Sequence, residues 1–112
     1  MMIYTLTAAF VVMDMLTGII KALALKSFTS KVMREGLFHK TGSVLCVAFG
    51  VLVDLAQGVI DLGVSVPVAS TICAYIILME IGSIIENLCE INPEIMPDKL
   101  KSFFSKLNGK GA

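Results

Sequence analysis

Three carboxylates stand in the middle of apolar runs. Asp14 lies in VVMDMLTGIIKAL (residues 11–23), Asp54 in VLVDLAQGVIDLG (51–63) and Glu80 in LMEIGSIIENL (78–88). A carboxylate held in hydrocarbon can take up a proton, hydrogen-bond across helices, pair with a cation or line water. Aligned without gaps, the first two runs share more than their acids. Asp14, Thr17, Gly18 and Lys21 match Asp54, Gln57, Gly58 and Asp61, and offsets of 0, 3, 4 and 7 put each set on one helical face. The third run carries a looser version in Glu80, Ser83, Glu86 and Asn87. Each run therefore reads as an apolar helix with one polar stripe.

The elements that hold these stripes follow from composition. The chain has 112 residues, 56% of them hydrophobic, and a mean hydropathy of +0.87. A chain this small buries only about two thirds of its unfolded surface, so the remaining apolar surface must meet lipid or other chains. Crossing a bilayer takes about 20 mostly apolar residues. Residues 3–25, 43–62 and 67–88 qualify, with Pro67 suited to a first helical turn. The link GVSV (63–66) makes the second and third spans an antiparallel hairpin. The expected fold is an all-α membrane protein: one membrane domain over 1–112, with three transmembrane helices and a short C-terminal amphipathic helix.

Charge sets the expected orientation. Residues 26–42 read as a basic loop, with Lys26, Lys31, Arg34 and Lys40 against Glu35, whereas the turn after the second span has no basic residue. Basic loops stay cytoplasmic, which places the N-terminus outside and the C-terminus inside the bacterial cytoplasmic membrane. No basic run precedes the first span and no small-residue cleavage site follows it, so it is expected to stay as a span. In the tail, 92–108, Asn92-Pro93-Glu94 and Pro97-Asp98 are helix-start signals. Leu100, Phe103, Phe104 and Leu107 then recur at helical spacing, with Lys99, Lys101 and Lys106 largely on the other face. Such a helix suits an anionic inner leaflet or a partner protein.

With these boundaries Asp14, Asp54 and Glu80 fall near the bilayer midplane, and no basic residue shares that depth. A carboxylate there costs on the order of 3 kcal/mol. Lys21, Glu86 and Asp61 lie near span ends and can reach the interface. The mid-span acids must be protonated, hydrogen-bonded by Thr17, Gln57 and Ser83, paired with Lys21 of another chain, or wetted. They serve as polar glue in a compact bundle, as a water-exposed face, or as a proton or ion relay. Stripes on all three helices cannot be satisfied at one small contact, so a homo-oligomer is expected. Cys46, Cys73 and Cys89 have no metal-ligand spacing and read as packing thiols. No catalytic set, cofactor motif, metal cluster or nucleic-acid footprint stands out.

The stretch DMLTGIIKAL, then REGLFHKTG, a span with Asp54, a span ending EIGSIIENL, and the tail PEIMPDKLKSF form a larger pattern. It resembles the phage lysis and toxin-secretion holins of Gram-positive bacteria and their phages, from about Asp14 to about Phe104. The resemblance implies a small membrane protein that accumulates harmlessly and then assembles into lesions. Such lesions release a cell-wall-degrading endolysin or a toxin lacking a signal peptide, and an antiholin is a possible further partner. One departure is the modestly basic tail, diluted by Glu90, Glu94 and Asp98. Two other readings stand beside it. One is an antiholin or accessory membrane subunit. The other is a small proton-coupled transporter, which the absence of Trp and the sparse aromatic lining disfavour.

Overall fold

The computed structural model describes residues 2–63 and 65–94, together with Ser102 and Lys106. Three helices follow one another: α1 (Met2–Ala24), α2 (Ser30–Gln57) and α3 (Val68–Ile91). All three are long and apolar enough to cross a membrane. The amphipathic helix expected over 92–108 falls outside the described residues beyond Glu94, Ser102 and Lys106 apart. So do Lys99, Leu100, Lys101, Phe103, Phe104 and Leu107.

α1 ends close to its expected boundary. The Ser27 amide donates to the Ala22 carbonyl at 2.8 Å and the Lys26 amide to the Leu23 carbonyl at 3.2 Å. Lys26 takes φ +56°. This is the Schellman arrangement, which satisfies carbonyls left over at a helix end. A lysine here carries the left-handed strain that a glycine would escape.

α2 differs from expectation. Thr29 is extended, and its side chain accepts from the Val32 amide at 3.1 Å, so the helix starts at Ser30. Residues 30–42, expected within a loop, are helical and continue without a break into the second span. Only residues 25–29 connect α1 to α2. Charge and the open glycines Gly36 and Gly42 obscure the helical pattern there, but the N-cap of Thr29 sets the start. At 28 residues, α2 is about 42 Å long, beyond the roughly 30 Å of a hydrocarbon core.

α2 ends at Gln57, five residues before the expected limit of the span at Leu62. The Gln57 carboxamide closes a two-way pair with the Val66 backbone, donating at 3.0 Å and accepting at 2.9 Å. The Asp61 carboxylate accepts from the Gly63 amide at 2.9 Å, and Gly63 sits at φ +81°, where glycine is favoured. Pro67 precedes α3 and offers no side-chain cap. Asp54 supplies one from α2, accepting from the Val68 and Ala69 amides at 2.8 and 3.1 Å.

α3 is the central element. It packs against both α1 and α2, which scarcely touch each other. Its buried residues include Ala69, Cys73, Ile76, Ile84 and Ile85. Small residues allow the α2–α3 approach: a Cβ on Gly50 would lie 2.9 Å from the Ala69 Cα. The outer face of α2 is apolar and exposed, with Val44, Leu45, Phe49, Leu52 and Leu55 all more than half uncovered. In a bilayer that face meets lipid.

Two glycine substitutions on α2 separate packing from propensity. Nothing lies within 4 Å of a Cβ placed on Gly42, so Gly42→Ala is expected to raise the thermal midpoint in detergent, by up to about 1 kcal/mol of helix stability. Gly50→Ala brings the same propensity gain against a backbone clash, and is expected to lower the midpoint, at about 1–3 kcal/mol of overpacking. Circular dichroism melts of both variants check the pair of signs.

Candidate functional site

The helical start of α2 carries Lys40 to the level of the mid-span acids of α1 and α3. Its ammonium donates to Asp14 Oδ2 and, at 2.7 Å, to Glu80 Oε2. The side chains are largely withdrawn from solvent, 13% exposed for Lys40 and Asp14 and 3% for Glu80. One residue from each helix thus meets at a single charged link. The expectation that no base shares the depth of the acids is corrected here, because Lys40 is not in a loop.

A second polar layer supports the link. Asn87 Nδ2 donates to Asp14 Oδ1 and to Thr17 Oγ1, both at 3.0 Å. The Thr17 hydroxyl in turn is within donating reach of the Met13 and Asp14 carbonyls, at 3.0 and 3.1 Å. Gly18 lies opposite the same carboxamide, where a Cβ would sit 3.7 Å from Asn87 Nδ2. Among the described residues, no buried side-chain nitrogen or oxygen lacks a hydrogen-bond partner. Buried charges with this degree of satisfaction tie helices together strongly, since removing one partner strands the other.

The polar stripes have diverged in use. The α1 stripe and the α3 stripe face each other through Asp14, Thr17, Gly18, Glu80 and Asn87. Ser83 and Glu86 line a cleft beside the link. Lys21 pairs with Glu90 at 3.6 Å, both side chains partly exposed, a contact of modest worth. The α2 stripe does none of this. Asp54 caps α3, Gln57 and Asp61 brace the turn, and Gly58 is the C-cap of α2. Equal spacing in the sequence therefore does not place Asp54 with Asp14 and Glu80.

Lys40 is the residue that spacing of the acids alone overlooks. A signal for it exists in α2 itself. Met33, Lys40, Val47 and Asp54 stand seven apart, with Ser43 and Gly50 interleaved, and these are among the less exposed positions of the helix. A lysine on that row must point where the helix packs. His39 is exposed and borders the same cleft. The three cysteines are free, with Cys73 buried in α3.

A charged link in a dry setting behaves as a latch. Attraction between the groups is strong where the dielectric is low, and separating them leaves bare charge in hydrocarbon. When water reaches the groups both terms shrink. Such a link is held more strongly in lipid than where the helices border water.

The sequence profile of the bacteriophage holin family matches residues 1–109, nearly the whole chain. The protein belongs to the bacteriophage holin family. With its three apolar helices it is a holin-like, multi-pass membrane protein. No curated protein and no solved structure matches it.

Replacing Lys40 alone leaves Asp14 and Glu80 together without their cation. Lys40→Met is expected to cost about 3–5 kcal/mol, and the triple variant Asp14→Asn, Lys40→Met, Glu80→Gln much less, because no buried charge is stranded. Chemical unfolding in detergent micelles checks this order; a triple variant as unstable as the single one contradicts it.

Proposed function

We propose that this protein assembles with copies of itself in the bacterial cytoplasmic membrane and forms lesions through which an endolysin or a toxin leaves the cell. Family membership supports the reading, and one structural observation carries it. The charged link turns one ionisable group from each helix, Asp14, Lys40 and Glu80, inward, while α1 and α2, otherwise scarcely in contact, are held to each other by it. A lone chain can therefore rest in lipid with an apolar exterior. The same chain has little else to keep α1 and the first half of α2 together.

At low density the latch stays shut and the chain is harmless. As chains crowd, apolar helix faces exchange lipid for one another and the first half of α2 parts from α1. Asp14, Lys40, Glu80 and Asn87, flanked by Thr17, Gly18 and Ser83, then border a common aqueous space, and wetting stabilises the open assembly. Asp54, Gln57, Gly58 and Asp61 keep the α2–α3 turn intact through the change, so their part is to preserve the hairpin. The basic residues Lys26, Lys31 and Arg34 around the α1–α2 connection favour a cytoplasmic location for it. Both termini are placed accordingly, the N-terminus outside and the C-terminus inside. Lys99, Lys101 and Lys106 in the tail would then face anionic lipid of the inner leaflet.

Expression of the chain alone, beside a cytoplasmic endolysin, tests the reading. Abrupt lysis with passage of the folded enzyme is the expected result, whereas leakage of ions alone, or no effect, refutes it and favours a transporter or an inhibitor. Asp14→Leu with Lys40→Met and Glu80→Leu, which removes the groups that wetting would stabilise without stranding a charge, is expected to abolish release while the protein still enters the membrane. Unchanged release from that variant means that the charged link serves packing only.

A further inference from the structure

Between α1, the first half of α2 and α3 lies a cleft of about 520 Å³, within the roughly 300–1,000 Å³ of ligand sites. Met15 and Ile19 form one wall, Met33 and Leu37 another, and Met79 lies on the α3 side. Asp14, Lys40 and Glu80 line it at their level. Gly36 also lines it, with nothing within 4 Å of where its Cβ would stand. The cleft exists because α2 is helical from Ser30 yet scarcely touches α1.

Depth limits what can fill this space. Along α1 the lining runs from Asp14 to Ala22, about 12 Å at 1.5 Å per residue. One leaflet of hydrocarbon is about 15 Å thick, half of a ~30 Å core. The slot is therefore about one leaflet deep, largely apolar on its α1 and α2 walls, polar on the α3 side at Ser83, Glu86 and Asn87, and charged at the midplane. Its other end meets the α1–α2 connection, with Lys21, Ser27 and Phe28 in the lining.

The basic charge at that end is partly committed. Lys21 pairs with Glu90, and Lys31 with Glu35 at 4.0 Å. Lys26 and Arg34 make no ion pair among the described residues. α2 also begins here, and the amide end of a helix carries partial positive charge. Glu86 lies on the α3 wall, so anion binding falls to the α1–α2 side. Basic pockets between membrane helices suit anionic headgroups.

We propose that the cleft holds one acyl chain of an anionic phospholipid, with its phosphate on the α1–α2 side near Lys26 and Arg34. The bound chain wedges α1 from α2 and completes the apolar wall that the two helices leave open.

The absence of native tryptophan gives a direct test. Leu37→Trp places a fluorophore in the cleft, and Phe38→Trp places one at matching depth on α2 outside the lining. Each variant is reconstituted in phosphatidylcholine vesicles containing a minor fraction of bromine-labelled phosphatidylglycerol or, separately, bromine-labelled phosphatidylcholine. Expected is several-fold stronger quenching of Leu37→Trp by the labelled phosphatidylglycerol than by the labelled phosphatidylcholine, with no such preference at Phe38→Trp. Lys26→Gln with Arg34→Gln is expected to remove the preference, and Gly36→Leu, which fills the slot, to reduce quenching by both lipids. Equal quenching of both tryptophans by both lipids overturns the proposal in favour of ordinary boundary lipid. An unquenched Leu37→Trp also overturns it, because protein then covers the cleft.

Discussion

Charge cannot rest unaccompanied in hydrocarbon, and the arrangement of this chain turns on how that constraint is met. Two acids and one base, each from a different helix, converge at one point. Every other feature of the site follows from that convergence. Asn87 donates to the Asp14 oxygen that Lys40 leaves free and to the Thr17 hydroxyl beside it, and Gly18 admits the carboxamide that does so. α2 must be helical from its first residues for Lys40 to arrive at the right depth.

The two ends of α2 make opposite kinds of contact. Near its C-terminus it is tied to α3 by backbone proximity at Gly50 and Ala69, by the Asp54 cap and by the Gln57 pair with Val66. Near its N-terminus it is held inward chiefly by a single lysine. Close packing and hydrogen bonds to backbone are insensitive to modest wetting at a distance, whereas a charged link weakens as the local dielectric rises. The molecule therefore has one end that stays assembled and one end whose attachment depends on its surroundings. The function proposed above, rest in lipid followed by reorganisation there, would draw on both.

Much of this was legible in the sequence. The three apolar runs, their order and the approximate bounds of α1 and α3 follow from hydropathy, and the resemblance to holins agrees with the family found. The facing of the α1 and α3 stripes is foreshadowed by their spacing. The role of the α2 stripe is not, because Asp54 looks like Asp14 until one knows where its helix ends. Asp54 lies within a turn of the C-terminus of α2, so its carboxylate finds free amides of the next helix. Lys40 was hidden by a boundary error: a segment with four basic residues and two glycines reads as a loop unless the Thr29 cap is weighed above composition. The path of the tail is a tertiary question that its amphipathic pattern does not answer.

The length of α2 has a mechanical consequence. A helix longer than the hydrocarbon it crosses accommodates the excess by tilting, by emerging at one side or by thickening the bilayer around it. With Gly50 as the close contact, the part of α2 before it is the arm of a lever about 30 Å long that carries Lys40 about 15 Å from the pivot, at 1.5 Å per residue. Any thinning of the surrounding lipid asks for more tilt and pulls that arm sideways. Bilayer thickness and the position of a single ammonium are in this way coupled by geometry alone.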